Sequence, residues 1–380
     1  MSNCLIEPGK LLRFDFGAAH PFKIHRLGLA YSLMEAYGLT DGEAVYTLSP
    51  CKATEQEASS FHTTAYLEVL RLADGGMWVP NLFSHGLGTE DNPVFPGVYE
   101  WAMLVAGGSI AGAKEILAGR AKVAFNFSGG LHHAMPSRAS GFCHVNDVVL
   151  AINTLLEAGK RVVYIDIDAH HGDGVQYAFY EMDSVLTISI HQSGYTIFPG
   201  TGFVQEIGKG KGEGFSVNVP LLPGAGDDAY SLVWDEIVFP LINSFDPDVL
   251  VTQLGADALS NDRIARLDMS LSCFEGFVDS VYRLEKPWLA VGGGGYAVEN
   301  VVRAWTLAWA RMNGVILPDE IPENWLSKAG TEGLRMESLR GKAAPVPSSG
   351  PVLNDLNRTI EALHGAVFPI IENSTARRSN

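Results

Sequence analysis

Residues 161–175 read RVVYIDIDAHHGDGV. An apolar, β-branched run of the kind found in buried strands ends there in three aspartates and two adjacent histidines. A buried carboxylate needs a partner or a cation, because its charge is otherwise too costly to remove from water. We therefore expect a divalent cation to bind at the end of this strand.

A set of three ligands can be read from this stretch and one other. Along an extended chain Asp166 and Asp168 lie on one side, and His170 follows two residues further on. Asp168 and His170 can hold one ion, and Asp257 in QLGADAL can complete the set from a neighbouring strand. Two carboxylates and one imidazole suit a catalytic zinc ion, with Fe²⁺ or Co²⁺ as substitutes. The alternative to metal binding by Asp257 is that it caps a helix beginning near Leu259.

The rest of the chain alternates short apolar runs with helical patterns. Apolar, β-rich runs occupy 122–127, 161–168, 185–191, 214–219, 249–254 and 288–291. Apolar residues at helical spacing occupy 26–38, 147–158, 229–244 and 298–312. This order predicts an α/β fold, a single domain with a mainly parallel central sheet and helices on both faces. Ligands bind such sheets beyond the carboxyl ends of the strands.

Two more strand ends carry reactive side chains. His132 and His133 follow KVAFNF, and Tyr296 follows WLAVGGGG. A histidine can move a proton between water and a leaving amine, with Asp166 and Asp173 available to fix the ring tautomers. The Tyr296 phenol could donate to an oxyanion. Alone, the two histidines could be ordinary surface or core residues, and Tyr296 could be a core residue behind a glycine turn.

Composition limits the partners and the location. The 380 residues include 27 basic and 43 acidic side chains, a formal net charge of −16, which argues against nucleic acid and anionic membranes as partners. The four cysteines are scattered without a CxxC pair, which indicates a reducing compartment. We expect no signal peptide and no membrane span, and a cytoplasmic protein.

The C-terminal part of the chain changes in character. We predict a catalytic domain over 1–335 and an extension over 336–380. Residues 340–352 (RGKAAPVPSSGPV) predict a mobile connector, 353–365 a short helix, and 372–380 a frayed end.

Several motifs together resemble one family. They are 20–39 (HPFKIHRLGLAYSLMEAYGL), 129–147 (GGLHHAMPSRASGFCHVND), 164–180 (YIDIDAHHGDGVQYAFY), 189–202 (SIHQSGYTIFPGTG), 253–259 (QLGADAL), 292–296 (GGGGY) and 302–314 (VRAWTLAWARMNG). In this order they closely resemble the arginase–deacetylase superfamily. Within it, the chain is similar to zinc-dependent histone deacetylases of class I type and to the bacterial acetoin utilisation proteins.

The resemblance implies a role for each matching residue. Zinc ligation falls on the positions of Asp168, His170 and Asp257, which we call the metal set. The tandem histidines match His132 and His133, backed by Asp166 and Asp173, and the carbonyl-polarising tyrosine matches Tyr296. Substrate contacts fall on Gly141 and Phe142, Phe198, Asp91 and Arg26. Gly141 with Phe142 and Phe198 would wall an acyl-lysine tunnel, Asp91 would hold the substrate backbone, and Arg26 would line an acetate-release cavity.

The resemblance also implies two potassium sites. The first would use Asp166, Ser189 and main-chain oxygens of Asp168, His170 and Ile190. The second would use main-chain oxygens near Phe179, Met182, Val185 and Phe215. Two departures stand out: His144 replaces an aromatic or aliphatic residue after GFC, with a possible effect on the tunnel floor, and the loop 88–97 differs at the rim.

The expected reaction is metal-dependent hydrolysis of acetyl-lysine, or another short acyl-lysine, in proteins such as acetyl-CoA synthetase. One alternative is hydrolysis of acetylpolyamines, which are small acetylated amines. A two-manganese ureohydrolase would need a second carboxylate-rich strand end, and Asp262 stands too far from Asp257 for that arrangement. The non-enzyme alternative is a module that binds acyl-lysine without cleaving it. The sequence leaves the oligomeric state open.

Overall fold

The computed structural model describes residues 2–331, 333–341 and 345–376. In these residues eight strands form one sheet, in which every neighbouring pair is parallel. The strands are β1 (Ser2–Ile6), β2 (Val45–Leu48), β3 (Ala121–Asn126), β4 (Val162–Asp166), β5 (Val185–Gln192), β6 (Ser216–Leu221), β7 (Val249–Gln253) and β8 (Trp288–Val291). The predicted fold class is confirmed.

Helices cover both faces of the sheet. They are α1 (His25–Ala36), α2 (Glu55–Ala58), α3 (Thr64–Asp74), α4 (Val98–Leu117), α5 (Asp147–Glu157), α6 (Asp173–Phe179), α7 (Asp227–Val233), α8 (Phe239–Phe245), α9 (Leu271–Tyr282), α10 (Val298–Met312), α11 (Glu323–Thr331), α12 (Gly350–Ala366) and α13 (Phe368–Ala376). None of the helices in the described residues has the length and apolar character needed to cross a bilayer.

The strand order places the reactive strand ends side by side. The order is β2-β1-β3-β8-β7-β4-β5-β6, so β3, β8, β7 and β4 are consecutive. The register aligns their last residues, since Asn126 pairs with Val291, Val291 with Gln253, and Gln253 with Asp166. All four loops that carry the predicted site residues therefore leave the sheet along one edge.

The predicted helix 229–244 is found as two helices. A π-helical turn over Trp234–Val238 joins α7 to α8. Pro240 lies at the start of α8 and has no N–H, so it cannot make the regular α-helical bond to Glu236. A widened turn accommodates the missing bond.

The C-terminal segment packs against the body of the protein. The predicted helix at 353–365 is found as α12, which contacts the edge strand β6, and α13 follows it against α8. Leu356, Leu363 and Ile371 are buried there. The frayed end predicted for 372–380 is wrong up to residue 376, because α13 extends that far, and 377–380 lie outside the described residues.

The predicted connector is tied to the domain at two points. Arg340 donates two hydrogen bonds of 2.9 Å to Glu275, and the main-chain N–H of Ser348 donates to Asp228 at 3.0 Å. Residues 342–344 lie outside the described residues, so mobility there stays a prediction, as does the domain boundary at 335.

Candidate active site

The metal set converges in the structure. One ligand atom each from Asp168, His170 and Asp257 lies within 4.8 Å of the others, and all three side chains are buried. The His170 Nδ1 atom is 3.1 Å from Asp168 Oδ1 and 2.9 Å from Asp257 Oδ2. Two adjacent strands, β4 and β7, supply these residues, as expected from parallel strand ends.

Neighbouring groups orient both carboxylates. The Gln253 side chain donates to Asp168 Oδ2 at 2.7 Å, and the Gly294 N–H donates to the same oxygen at 2.8 Å. The Ala169 N–H donates to Asp257 Oδ1 at 2.9 Å. The sequence analysis missed Gln253, although it ends the apolar run of β7 as a buried polar residue.

Electrostatics indicate that a cation fits this cluster. Burial raises the pKa of Asp257, and the nearby Asp168 raises it further, to about 7. Burial lowers the pKa of His170, but its hydrogen bonds with Asp168 and Asp257 outweigh burial and raise it to about 10. The direction of both shifts indicates that the two buried carboxylates favour a positive charge between them. Two carboxylates and one imidazole are ligands that suit zinc.

Each of the tandem histidines faces its own carboxylate. His132 Nδ1 lies 2.8 Å from Asp166 Oδ2, and His133 Nδ1 lies 2.7 Å from Asp173 Oδ1. The two Nε2 atoms are 3.0 Å apart, and His132 Nε2 is 3.9 Å from Asp168 Oδ1. Both rings therefore turn their Nε2 atoms toward the metal set and are oriented through Nδ1.

The two histidines differ in proton affinity. Burial lowers the pKa of His132, but Asp166 and Asp168 outweigh burial and raise it to about 9. Burial lowers the pKa of His133 to about 4, and the neighbouring His132 lowers it in the same direction. At neutral pH the pair therefore consists of a charged His132 and a neutral His133, because two imidazolium ions in contact repel each other.

Tyr164 supports the His132 pair and was missed in the sequence. Its hydroxyl donates to Asp166 Oδ2 at 2.6 Å, the same oxygen that faces His132. The N–H of Asp168 donates to the other oxygen, Oδ1, at 3.1 Å. A tyrosine two residues before an aspartate on the same strand is the only signal that the sequence offers, because such residues share a face.

Tyr296 is buried beside the metal set. Its ring meets those of Phe142 and His170 edge to face, with centroids 5.7 and 6.4 Å apart. Burial raises the pKa of the phenol well above its usual value, so it stays a donor. The main chain of residues 292–295, which we call the glycine loop, carries it past Asp168 and Asp257. A Cβ on Gly294 would lie 2.1 Å from Asp257 Oδ2, so only glycine fits there.

Arg26 lies below the glycine loop and not on the surface. Its guanidinium is buried, donates to the carbonyl oxygens of Gly295 at 2.6 Å and Gly293 at 2.7 Å, and stacks on Phe22 and Trp305. Arg26 thus supports the loop that carries Tyr296. A role in acetate release stays a prediction.

Aromatic side chains flank the approach to the metal set. Phe142 packs on Tyr296, and the Phe198 ring meets His133 edge to face at 5.0 Å. Gly141 lies between the two walls, where a Cβ would be 2.5 Å from the His133 ring and 2.7 Å from the Phe198 ring. A pocket of about 20 Å³, room for about one water, is lined by His132, His133, Gly141, Phe142, Asp168 and Tyr296 among others.

The rim is held through main-chain contacts. The carbonyl oxygen of Asp91 lies 3.1 Å from His20 Nε2, and the His20 ring packs on Phe142 at 4.6 Å. Asp91 itself is exposed close to the tunnel wall. The expected effect of His144 on the tunnel floor is not supported, because its ring packs on Phe16, Phe95 and Trp101 and its Nε2 lies 3.2 Å from the Pro93 carbonyl. His144 therefore supports the rim loop 88–97.

The residues predicted to bind potassium lie at two places. Asp166 and Ser189 are direct partners in the neighbouring strands β4 and β5, and Ile190 follows Ser189. In the second set, the carbonyl of Phe179 accepts from Met182 at 3.0 Å, and that of Phe215 accepts from Thr187 at 3.0 Å. Val185 begins β5 beside them. Potassium binding stays a prediction at both.

Comparison with protein families gives one clear match. The model of the histone deacetylase domain matches residues 20–312. Histone deacetylase RPD3 of Saccharomyces cerevisiae is 41% identical over 82% of this chain and 72% of the yeast protein. Histone deacetylase 1 of Homo sapiens is 39% identical over 84% of this chain and 66% of the human protein.

Solved structures match the whole fold. A crystal structure of a histone deacetylase homologue from Aquifex aeolicus has a TM-score of 0.87, with 30% identity over 96% of this chain and 100% of that one. A histone deacetylase homologue in complex with SAHA has a TM-score of 0.86, with 30% identity over 95% of this chain and 99% of that one. The similarity thus includes the region around α12 as well as the catalytic strands.

Proposed function

The chain belongs to the histone deacetylase family and is a deacetylase, and we propose that it hydrolyses N-acetyl-lysine amides in proteins, releasing acetate and free lysine. The observation that carries this proposal is the convergence of the buried metal set, two histidine–aspartate pairs and Tyr296 on one aromatic-walled approach. A site with only part of this set could bind an acyl-lysine, but it would lack a proton carrier or an oxyanion donor.

We propose zinc as the resident metal, held by Asp168, His170 and Asp257, with Fe²⁺ or Co²⁺ as substitutes. When bound, such an ion lowers the pKa of a coordinated water toward about 7 and polarises the acyl oxygen. The two potassium sites carried over from the family belong to this proposal as structural sites. Metal analysis of the purified protein tests the zinc and potassium assignments. Two manganese ions per chain would instead favour a ureohydrolase.

The residues around the metal set divide the proton transfers between them. Neutral His133, whose Nδ1–H donates to Asp173, can accept a proton at Nε2 from the attacking water. The same nitrogen can return the proton to the departing lysine amine. Charged His132, held by Asp166, contributes positive charge beside the reacting carbonyl, and the Tyr296 hydroxyl donates to the developing oxyanion.

A groove beside the tunnel has room for a polypeptide substrate. It has a volume of about 850 Å³ and shares Phe198 with the tunnel wall. Its lining exposes Tyr177 and Met182, which are 63% and 42% accessible, together with Arg138. The size of the groove and its exposed apolar side chains suit a peptide chain next to the acetyl-lysine. Asp173, Glu181 and Glu206 also line the groove, so its charge does not exclude a cationic amine.

The finer assignments also remain proposals. Acetyl-CoA synthetase, or another protein of acetate or acetoin metabolism, would be a fitting substrate, and other short acyl groups could share the tunnel with acetyl. We propose a cytoplasmic location, because the scattered cysteines fit a reducing compartment.

A substrate comparison tests the proposed function. Zinc-loaded protein should release acetate from acetyl-lysine peptides with a higher kcat/KM than from acetylspermidine. A preference for acetylspermidine would make the protein a polyamine deacetylase. Binding of acetyl-lysine peptides without turnover, in protein with zinc bound, would overturn the hydrolase assignment.

A further inference from the structure

The main chain that carries Tyr296 has little rigidity of its own. Four glycines precede it, and Gly293 and Gly295 have φ angles of +148° and +131°. Such a segment has access to many conformations, because glycine lacks the Cβ that restricts other residues. The phenol can act as an oxyanion donor only if its position is fixed before the reaction. The fixing contacts must therefore come from other parts of the chain.

Two side chains hold the glycine loop from the inner side, in addition to main-chain hydrogen bonds at Gly292 and Gly294. Arg26 donates to the carbonyl oxygens of Gly293 and Gly295, and Asp168 accepts the N–H of Gly294. None of these three bonds reaches the main chain of Tyr296 itself. Its N–H points the other way, toward the loop that follows β7.

The carboxylate of Asp262 accepts that N–H. Oδ2 receives the N–H of Tyr296 at 2.8 Å and that of Ala297 at 3.3 Å. Oδ1 receives the N–H groups of Ile264 at 2.8 Å and Ala265 at 3.4 Å. One side chain thus joins the loop after β7 to the tyrosine, and each of its oxygens is used for main-chain N–H groups.

The same contact completes the start of α10. Ala297 is the N-cap residue of that helix and has no side chain that could accept a hydrogen bond. Asp262 instead accepts the N–H of this N-cap residue from another loop, and its negative charge lies at the positive end of the helix dipole. A hydrogen bond to a charged group is stronger than one between neutral groups, so this contact can restrict a flexible segment. The Asn300 side chain adds a second tie, donating to the Ser260 carbonyl at 3.0 Å.

We propose that Asp262 is a positioning residue for the Tyr296 phenol. This inference rests on the proposed function, since it assigns Asp262 to the oxyanion donor of that reaction. Asp262 lies outside the metal set and touches neither the metal ligands nor the histidine pairs through the bonds described here. Its hydrogen bond acts on catalysis through the main chain of Tyr296, and its charge also raises the pKa of the metal ligand Asp257.

A double-mutant cycle in the zinc-loaded protein tests this pathway. Asp262→Ala should lower kcat about tenfold with KM changed less than about twofold, because the oxyanion donor acts in the transition state. Tyr296→Phe should lower kcat about a hundredfold. In the Tyr296→Phe background, Asp262→Ala should lower kcat by less than about a further twofold, because the hydroxyl that Asp262 positions is then absent.

Two further variants separate positioning from general stability. Asp262→Asn keeps one acceptor oxygen for the Tyr296 N–H and should recover most of kcat. Asp227→Ala is the matched control, because Asp227 accepts from the N–H and hydroxyl of Ser270 at the start of α9, away from the site. It should affect thermal unfolding but leave kcat unchanged.

Deuterium uptake gives a readout that does not depend on turnover. Asp262→Ala should speed exchange in the segment 292–297, and Asp227→Ala should not. Additive effects of Asp262→Ala and Tyr296→Phe on kcat, or unchanged exchange at 292–297, would overturn the positioning role while the deacetylase assignment stands. A wild-type protein that binds zinc and hydrolyses no acetyl-lysine would instead overturn the proposed function.

Discussion

The floor of the site and its rim are built in different ways. The floor, which consists of the metal set, His132, His133, Asp166, Asp173 and Tyr296, is buried except for the partly accessible Asp173, and its histidines bond to its carboxylates. The rim, which consists of Asp91, Phe142 and Phe198, is held through ring packing and through main-chain atoms such as the Asp91 carbonyl. Each floor position accepts only one type of residue, because each of these groups needs a particular bonding partner. The rim leaves its exposed side chains free to differ between substrates.

The largest expected effect comes from breaking the floor at Asp257. Asp257→Asn removes a charge that, with Asp168, attracts the cation, so we expect loss of bound zinc and a fall in kcat/KM of at least about 10⁴-fold. Metal content of the purified variant and hydrolysis of an acetyl-lysine peptide measure both.

Asp268→Asn is the matched control for Asp257→Asn. It changes a carboxylate on the following segment that lies outside the metal set, where its Oδ1 accepts the Ser260 hydroxyl at 3.3 Å. This control should retain zinc and activity. Zinc retained at full stoichiometry by Asp257→Asn would contradict the ligand set.

The next effect should separate the two histidines of the floor. His133→Asn removes the neutral ring that accepts the proton, so kcat should fall about 10³-fold with zinc retained. His132→Asn removes a charged ring that contributes electrostatically, and we expect a smaller loss of about 10²-fold. Single-turnover rates with an acetyl-lysine peptide measure both variants. A larger loss in His132→Asn would reverse the two roles.

The sequence could predict the floor because its chemistry is visible in residue types. Aspartates and histidines directly after an apolar strand are informative, since such residues are otherwise rare in buried positions. Parallel strand ends share one edge of a sheet, so four separate motifs could be placed in one site. This reasoning assumed that the strands lie side by side, and the structure has them in the consecutive order β3, β8, β7 and β4.

Other features left no comparable pattern. The bond from Asp262 is to main-chain N–H groups, which any residue offers, so the sequence could not show its partner. Helix α4 is apolar nearly all round and lacks the helical alternation of polar and apolar residues that identifies a surface helix. The packing of α12 against β6 depends on tertiary contacts that periodicity cannot assign to a partner.

At the rim, a moderate effect on substrate binding should appear without loss of chemistry. Phe198→Ala removes part of the tunnel wall next to His133, so KM for an acetyl-lysine peptide should rise about tenfold while kcat changes less than about threefold. Tyr195→Ala is the matched control, because Tyr195 is 86% exposed on the same loop and stacks on Phe203 instead. If Phe198→Ala lowered kcat and left KM unchanged, Phe198 would act in the chemical step, as the floor residues do.

The smallest effect concerns stability beneath the rim, at His144. Burial lowers the pKa of its ring to about 4, from an ordinary value of 6.5. Below pH 6.5 this histidine binds a proton in the unfolded chain, whereas in the folded protein it binds one only below about pH 4. Its contribution to stability is therefore fully present above pH 6.5 and is lost as the pH decreases from 6.5 to about 4. Because each pH unit corresponds to about 1.4 kcal/mol, this lowered pKa accounts for about 3 kcal/mol at most, and for about 2 kcal/mol between pH 7 and pH 4.5.

His144→Phe should remove this pH dependence while keeping an aromatic ring against Phe16, Phe95 and Trp101. The free energy of unfolding should decrease from pH 7 to pH 4.5 in both proteins, and this decrease should be about 2 kcal/mol smaller in the variant. Urea unfolding at the two pH values measures both decreases. Because the His144 ring packs away from the tunnel, kcat/KM at pH 7 should change less than about twofold. An identical decrease in both proteins would mean that His144 is protonated in the folded state. The ring beneath the rim would then be accessible to protons, and the rim loop it supports would open more readily than the floor.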